Sequence, residues 1–335
     1  MLNALSFDVE DYFQVAALSG TVSRTSWDSI PRRVEGNTGL LLDMLALTNT
    51  RATFFFLGWV AEREPQLVRR VAAAGHEIAC HGYSHRLVYE QAPAEFREET
   101  LRSKALLEDQ AQVPVLGYRA ASYSITRRSL WALDTLVEAG FVYDSSIFPV
   151  RHDIYGIPEA PRAPHLIQRE GGRLVEFPPS TACVPGMRLP VAGGGYFRIF
   201  PYGVTRWAVR RVNAEGLPFN FYLHPWEIDP GQPKVRTNWL SRFRHYTNLD
   251  RCEARLKQLL GDFQFAPTRE VLEAQGWIRD GHVAVRDDAG APSDAYLQDT
   301  RDYVRTRGNT PGLAGRDAGP GHAATHGVGH PAPRP

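Results

Sequence analysis

Short apolar runs alternate with amphipathic stretches between residues 2 and 143 of the chain. The runs show no alternation of apolar and polar residues, which is typical of strands that are covered on both faces. They predict strands over residues 2–7, 52–57, 76–80, 115–119 and 141–143. Apolar side chains at helical spacing predict helices over residues 38–47, 66–74, 94–109 and 127–139. Strands separated by such helices imply right-handed βαβ units and a parallel sheet.

This α/β alternation fits either an open doubly wound sheet or a closed barrel. In both architectures the chemistry collects at the C-terminal ends of the strands. Asp8, His81, Arg119 and Asp144 all fall at such ends. Because no glycine-rich phosphate loop follows the first strand, the sequence favours the barrel.

The second half of the chain is less regular. Residues 151–201 are dense in Pro and Gly, which predicts loops and short strands that shape a cleft. We assign this insert to a barrel domain over residues 1–228, which ends just after a predicted strand at 220–223. Residues 229–278 form a C-terminal extension packed on the barrel, and apolar positions between 249 and 263 repeat there with helical spacing.

Residues 279–335 are interpreted as a polar, disordered tail, because their last part contains almost no large apolar residue. The tail carries three histidines at four-residue intervals, His322, His326 and His330. Without a scaffold or a carboxylate, this spacing indicates a disordered tract and not a metal site.

Composition limits the classes of partner. There are 38 Lys and Arg against 37 Asp and Glu, so a formal net charge of +1 gives no electrostatic case for a nucleic acid or an acidic surface. No segment approaches the roughly eighteen apolar residues of a transmembrane span, and the start lacks a signal-peptide pattern. We therefore expect a cytoplasmic protein. Cys80, Cys183 and Cys252 are far apart and predict free thiols.

The pair His81 and His85 is the first candidate for chemistry, in the sequence His-Gly-Tyr-Ser-His after the third predicted strand. On a helical turn, two imidazoles four residues apart can reach one cation. An acidic cluster, Asp-Val-Glu-Asp at residues 8–11, follows the first strand. Two imidazoles and one carboxylate are the ligand set of a catalytic divalent-metal site.

Several segments occur in the order of the five motifs of NodB-homology polysaccharide deacetylases, which are carbohydrate esterases. They are Phe7-Asp8-Val9-Glu10-Asp11, Thr53-Phe54-Phe55, His81-Gly82-Tyr83-Ser84-His85, Gly117-Tyr118-Arg119-Ala120-Ala121-Ser122-Tyr123, Tyr143-Asp144-Ser145-Ser146 and Tyr222-Leu223-His224-Pro225. The resemblance covers about residues 1–228. The Asp-Val-Glu-Asp-Tyr-Phe start and residues 243–249 also resemble deacetylases of exopolysaccharide loci associated with the exosortase (PEP-CTERM) system.

The resemblance implies a distorted (β/α)7 barrel of the NodB-homology type with a C-terminal helical extension. It also implies metal-dependent hydrolysis of N-acetyl groups on an exopolysaccharide or on its lipid-linked oligosaccharide precursor. Two histidines and a carboxylate suit zinc as the divalent metal, and they also accommodate cobalt, nickel or manganese.

Hydrolysis of an acetamide needs an activated water, an oxyanion stabiliser and an acid. Asp8 is the candidate base that takes a proton from water, and His224 is the candidate acid that protonates the departing nitrogen. Leu223 is expected to line the pocket for the acetyl methyl group. By analogy with the family, Arg119 holds Asp8 in place and Asp144 orients His224.

The other site residues come with alternatives. Tyr123 and Trp226 are candidates for stacking on sugar rings, although large aromatic residues are more often buried. The family's adjacent Asp-Asp is replaced here by Asp-x-Glu-Asp. Strand alternation puts Glu10 on the side of Asp8, whereas Asp11 could bind the metal only if the chain has already turned into a loop. Ala121 stands where the family has a proline.

Two further functions remain open at the level of sequence. One is a metal-free amidohydrolase that opens cyclic ureides on the same barrel, and the other is a non-catalytic glycan-binding relic. Retention of both His81 and His85 argues against the first, and a complete set of base, acid and ligand candidates argues against the second.

Overall fold

A mostly parallel sheet organises the molecule, for which a computed structural model describes residues 1–285 and Leu297. The strands, in chain order, are β1 Asn3–Val9, β2 Thr53–Phe56, β3 Glu77–Cys80, β4 Gly117–Tyr118, β5 Tyr143–Asp144, β6 His165–Arg169, β7 Gly172–Glu176, β8 Thr181–Val184, β9 Met187–Pro190, β10 Asn220–Leu223, β11 Phe265–Ala266, β12 Ile278–Arg279 and β13 His282–Val283.

The spatial order in the main sheet is β10-β1-β2-β3-β4-β5-β7-β6, and β11 pairs with the start of β1. Every neighbour is parallel except β6, which forms an antiparallel hairpin with β7. The order confirms the predicted α/β fold with a parallel sheet. Strands β8 and β9 pair with each other, as do β12 and β13.

Helices connect the parallel strands. They are α1 Val34–Leu47, α2 Gly58–Arg63, α3 Pro65–Ala73, α4 Pro93–Ala111, α5 Ala132–Glu138, α6 Gly194–Ile199, α7 Tyr202–Ala214, α8 Trp239–Tyr246, α9 Leu249–Asp262 and α10 Thr268–Ala274. Short segments of 3₁₀ helix occur at Ala16–Leu18, Arg24–Ser29, Val88–Glu90, Ala121–Tyr123 and Pro225–Ile228. The sequence predicted α1, α3, α4, α5 and α9, and it missed α7 as well as the short helices α2, α6, α8 and α10.

The central strands are buried on both faces, which explains their unbroken apolar sequences. In β2, residues 53–56 are all fully buried. One face of the sheet packs on the helices. The other face encloses an interior, and the side chains of Ser6 and Asp8 of β1 point into it. Because the strands are parallel and in register, their C-terminal ends meet at one edge, where the candidate site lies.

Asn220 joins the two ends of the parallel order. Its side-chain Nδ2 donates to the carbonyl oxygens of Phe177 and Pro178, at 2.9 and 3.2 Å. Its own carbonyl accepts a hydrogen bond from the amide of Ser180 at 3.3 Å. The backbone amide of Asn220 also donates to Oγ of Ser180 at 2.8 Å. These bonds hold the segment after β7 against β10, although among the described residues β10 does not pair with β7 or β6.

The C-terminal extension is tied into the sheet. Strand β11 adds two residues beside β1, and α9 packs on the 3₁₀ turn Pro225–Ile228. The hairpin of β12 and β13 continues to Val283, so the predicted tail begins inside an ordered hairpin. The rest of that tail, including His322, His326 and His330, lies outside the described residues.

Two other sequence predictions can be compared directly. Cys80, Cys183 and Cys252 are free thiols, as predicted. Among the described residues, no helix combines the length and the apolar character needed to cross a membrane.

Candidate active site

A cavity of about 390 Å³ opens at the C-terminal edge of the parallel strands. Most of the predicted site residues line it, namely Asp8, Glu10, His81, His85, Tyr123, His224 and Trp226. Asp8, Glu10 and His81 lie in or directly after strands. The loops after β3, β4 and β10 deliver the others.

Three buried side chains form a cluster that could hold a metal ion. Donor atoms of Glu10, His81 and His85 all lie within 4.8 Å of one another. His81 turns its Nδ1 to the carbonyl oxygen of Arg119 at 2.8 Å, which leaves Nε2 for the cavity. His85 places Nε2 2.7 Å from Oε2 of Glu10. This donor set fits a divalent ion such as zinc.

The two histidines do not lie on a helical turn. Residues 81–87 form an irregular loop, and His85 has a left-handed backbone with φ of 50°. The loop, and not helical spacing, brings the rings to a centroid distance of 5.5 Å. Burial lowers the pKa of His81 to about 4, so this imidazole is neutral near pH 7, which is the form that binds metals.

The choice between Glu10 and Asp11 is decided by geometry. Oδ2 of Asp11 accepts hydrogen bonds from the backbone amides of Arg33 and Val34, at 2.7 and 3.0 Å, and thereby caps the start of α1. Asp11 is therefore held away from the cluster, and its prediction as a metal ligand is wrong. Burial of Glu10 opposes its ionisation, but the nearby imidazoles of His85 and His224 lower its pKa to about 2.

Asp8 and Arg119 form a buried ion pair beside the cluster. Nη1 of Arg119 donates to Oδ1 of Asp8 at 2.6 Å and to Oγ of Ser6 at 2.8 Å. The guanidinium carbon lies 4.0 Å from the ring centroid of Phe55. Oδ2 of Asp8 is 4.0 Å from Nε2 of His81 and 3.8 Å from Nε2 of His224. One carboxylate oxygen is thus held by arginine, while the other faces the metal-type cluster.

His224 is oriented by Glu227, which the sequence reasoning missed. Nδ1 of His224 lies 2.7 Å from Oε1 of Glu227, and Oε2 of Glu227 accepts from Nε of Arg198 at 2.6 Å. Burial disfavours the charged imidazole, but the carboxylates of Glu10, Glu227 and Asp8 outweigh it and raise the pKa of His224 to about 9. A signal existed in the sequence, because an acid three residues after His224, behind a proline, is typical of a helical first turn.

Gly194 allows this approach of Glu227. A Cβ atom at residue 194 would lie 1.8 Å from Oε1 of Glu227, so a larger residue would displace the carboxylate. A Cβ at Gly193 would likewise lie 2.3 Å from the hydroxyl oxygen of Tyr222. The Gly193-Gly194-Gly195 run therefore begins α6 and also packs closely against two residues that line the cavity.

The role predicted for Asp144 is contradicted. Oδ1 of Asp144 accepts a hydrogen bond from Oγ of Ser146 at 2.5 Å. The same Oγ of Ser146 accepts a hydrogen bond from the backbone amide of Ala120 at 2.8 Å. Asp144 also pairs across the sheet with Glu176, and the two buried carboxyl groups raise each other's cost of ionisation. Asp144 therefore supports the turn after Arg119, and Glu227 occupies the place beside His224 that the family resemblance implied for Asp144.

The Asp144 and Glu176 pair predicts a specific pH dependence of stability. Burial and the neighbouring Asp144 raise the pKa of Glu176 well above its usual range, so the folded protein keeps a proton that the unfolded chain loses above about pH 4.3. That contribution to stability is present at low pH and is lost as the pH rises through the folded pKa.

The melting temperature of the parent protein should fall between pH 5 and pH 9, and we expect a smaller fall in Glu176→Gln. At pH 9 the free energy of unfolding should differ between the two proteins by an amount on the order of 1 kcal/mol. Thermal unfolding of the variant and the parent protein over this range checks it. If the melting temperatures of the two proteins change equally with pH, Glu176 does not keep a proton in the folded protein.

The predicted substrate contacts are only partly on the cavity wall. Leu223 is wrong as a pocket residue, because it is buried in the same cluster as Phe7 and Val9. Tyr222, one residue earlier, lines the cavity. Strand alternation explains the difference, since Tyr222 is in register with inward-facing Ser6 and Leu223 with Phe7.

Tyr123 and Trp226 reach the cavity but offer little ring surface. Trp226 is 5% exposed, packs nearly parallel to the rings of His224 and His245, and donates from Nε1 to Oε1 of Glu10 at 3.2 Å. Tyr123 is 4% exposed and packs against Tyr222. Both therefore shape the wall, and their predicted stacking on sugars has no open ring face to support it.

The turn after Arg119 has an unusual backbone. Ala121, which stands in place of the family's proline, begins the 3₁₀ turn Ala121–Tyr123. Ser122 and Tyr123 follow with φ of 50° and 54°. Two successive non-glycine residues in the left-handed region are rare and are held by surrounding contacts, and Ser122 lines the cavity.

Comparisons with known proteins divide the chain into two matched segments. Residues 19–140 match the family model described as polysaccharide deacetylase, and residues 145–273 match a domain of unknown function, DUF3473. Strand β5 lies between the two matched segments, and each segment contains residues that line the cavity, such as His81 in the first and His224 in the second.

Two curated relatives match shorter stretches. A peptidoglycan-N-acetylglucosamine deacetylase of Bacillus cereus is 39% identical over 70 residues, which are 21% of this chain and 26% of that protein. A chitooligosaccharide deacetylase of Bradyrhizobium sp. (strain ANU 289) is 31% identical over 96 residues, 29% of this chain and 42% of that protein. The chain thus spans less than half the length of either relative.

A solved structure shares the fold over most of the chain. It is a Mycobacterium smegmatis protein, provisionally described as a polysaccharide deacetylase, with a TM-score of 0.56 and 22% identity. The match covers 86% of this chain and 94% of that one. This similarity supports the α/β fold.

Proposed function

We propose that the protein is a metal-dependent deacetylase that hydrolyses N-acetyl groups on a polysaccharide and releases acetate. The observation that carries this proposal is the convergence of three groups in one cavity. These are the metal-type cluster of Glu10, His81 and His85, the Asp8 carboxylate, and His224. They supply the metal donors, the base and the acid that amide hydrolysis requires.

A divalent ion bound by this cluster would polarise the acetamide carbonyl and lower the pKa of a water. Asp8 accepts the proton of the attacking water on Oδ2, because Oδ1 is held by Arg119. His224 donates from Nε2 to the departing nitrogen, because Nδ1 is held by Glu227. Nε2 of His224 and Oδ2 of Asp8 are 3.8 Å apart, which is compatible with both acting on one tetrahedral carbon.

The substrate we propose is an N-acetylated exopolysaccharide or its lipid-linked oligosaccharide precursor, acted on in the cytoplasm. The curated relatives are named for N-acetylated glycans, peptidoglycan and chitooligosaccharide, which supports an N-acetyl sugar. The resemblance of residues 243–249 to exosortase-associated deacetylases supports an exopolysaccharide locus. A metal-free amidohydrolase or a glycan-binding relic would not account for a metal-type cluster beside a buried base, Asp8, and a partly exposed acid, His224.

Two adjacent carboxylates provide the sharpest test of the metal site. We expect Glu10→Gln to lower zinc affinity strongly and to abolish acetate release from an N-acetylglucosamine tetramer, because it removes the anionic ligand. Asp11→Asn should keep the metal and most of the activity, and should cost about 1–2 kcal/mol of stability through the weakened α1 cap. Metal content, acetate release and thermal unfolding check these results.

The same experiment can reject the proposal. Loss of metal in Asp11→Asn, with full metal content in Glu10→Gln, would reassign the ligand. Full activity of the metal-depleted protein would overturn metal dependence, and a metal-loaded protein without deacetylase activity on N-acetylated glycans would overturn the function.

A further inference from the structure

Helix α8 has its apolar side chains on the outside. Trp239, Leu240 and Phe243 are 78%, 40% and 48% exposed. These positions fall within about 100° of the helix circumference, so they form one stripe. Surface helices of globular proteins normally turn such a stripe to the core, and an outward stripe indicates an interaction surface.

The opposite side of α8 is anchored to the cavity wall. His245 is buried, packs on Trp226 at a centroid distance of 4.3 Å, and places Nε2 2.8 Å from Oε1 of Gln232. Arg198 donates to the carbonyl oxygens of Arg244 and Thr247, at 2.9 and 2.6 Å. The outward stripe is therefore fixed in orientation by contacts on the inner side.

Basic residues flank the stripe. Arg242 and Arg244 are exposed and lie on its two sides, about 90–110° from its middle. Lys234 and Arg236 are exposed in the segment that leads into the helix. Residues 230–249 contain no Asp or Glu, although the whole chain has nearly balanced charge. Within residues 1–285, none of these four cations forms an ion pair with a carboxylate.

We propose that α8 and residues 234–238 dock on a lipid bilayer that contains anionic headgroups. An apolar stripe with tryptophan, bordered by arginines, matches the interface of such a bilayer, where rings enter the acyl boundary and cations meet phosphates. The net charge of +1 hides this local asymmetry, which is why composition argued against an acidic surface.

The surface adjoins the cavity, since Arg244 and His245 line it. If the proposed function holds, docking would present the cavity to a lipid-linked oligosaccharide at the membrane. Binding to a membrane does not require deacetylase activity, so an experiment can contradict the docking proposal without contradicting the proposed function.

Flotation with vesicles of phosphatidylcholine, with and without one third phosphatidylglycerol, tests the docking. We expect the whole protein to bind the anionic vesicles, and binding to weaken with salt. The triple variant Trp239→Ser, Leu240→Ser, Phe243→Ser should bind about tenfold more weakly or worse, because three interfacial side chains are lost. Arg236→Gln with Arg242→Gln should also weaken binding about tenfold and reduce its salt dependence.

Matched controls replace exposed residues elsewhere. Leu47→Ser with Met187→Ser removes two exposed apolar side chains, and Arg69→Gln with Arg97→Gln removes two exposed cations. Both controls should bind vesicles like the parent protein. Brominated lipids should quench tryptophan fluorescence of the parent protein much more than that of Trp239→Phe.

Several outcomes would overturn the proposal. Equal binding of the parent protein and the triple variant to anionic vesicles would show that the stripe does not contact the bilayer. If the parent protein does not bind anionic vesicles at all, the bilayer is not the partner of this surface. Sedimentation that shows a dimer in the parent protein and a monomer in the triple variant, without vesicle binding, would assign the stripe to a second copy of the chain. The triple variant should keep the parent activity on a soluble N-acetylglucosamine tetramer, which separates docking from the proposed function.

Discussion

Asp8→Asn should lower kcat on an N-acetylated oligosaccharide about 10³-fold while the bound metal remains, because general-base catalysis contributes about 10²–10⁴ and the amide cannot accept the proton. The variant keeps the shape of the side chain but leaves the guanidinium of Arg119 buried without its carboxylate partner. We therefore also expect a loss of about 3 kcal/mol in the free energy of unfolding. Metal analysis, steady-state kinetics and denaturant unfolding measure the three effects.

Ser6→Ala is the matched control for Asp8→Asn. The hydroxyl of Ser6 accepts from the same Nη1 of Arg119, at 2.8 Å, but it offers no base. It should lose about 1 kcal/mol of stability and keep kcat within a few-fold. Loss of metal in a folded Asp8→Asn would exchange the roles that we give to Asp8 and Glu10. Equal losses of kcat in both variants would show that Asp8 acts only through Arg119.

The position of the site could be predicted from the sequence because it depends on local patterns. Apolar runs without alternation identified parallel strands, and the C-terminal ends of such strands share one edge. Glu10 could be preferred over Asp11 by strand parity. The same parity could have excluded Leu223, because an inward His224 places Tyr222 inward and Leu223 outward.

Other features depend on contacts between distant segments. Asp11 caps a helix that begins at residue 34, and Asp144 meets Glu176 across a strand pair whose order no local pattern reveals. His85 reaches Glu10 through a left-handed residue, which the helical interpretation of His-x-x-x-His did not include. Glu227 was not predicted as the partner of His224, because the family resemblance implied Asp144 for that role.

The acid assignment predicts a shifted pH profile in Glu227→Gln. His224 acts as an acid only while it is protonated, so the rate should fall as the pH rises through its pKa, which the neighbouring carboxylates raise above the usual value. Removing the carboxylate of Glu227 makes the imidazolium less stable, and the charge of Arg198, 2.6 Å from that carboxylate, is then no longer neutralised. Both effects lower the pKa of His224, so the alkaline limb should move to lower pH.

Asp144→Asn is the control for this shift, since Asp144 accepts a hydrogen bond from Ser146 and lies beside Glu176, and it should leave the alkaline limb in place. His224→Ala should lower kcat on acetamides about 10²–10⁴-fold but affect aryl acetate esters much less, because a phenolate leaves without protonation. Rates of both substrates between pH 5 and 10 measure these effects, with circular dichroism to verify folding. An alkaline limb that moves in Asp144→Asn but not in Glu227→Gln would restore the role predicted for Asp144. Equal losses on amide and ester would make His224 a positioning residue, because only an acid distinguishes leaving groups by their basicity.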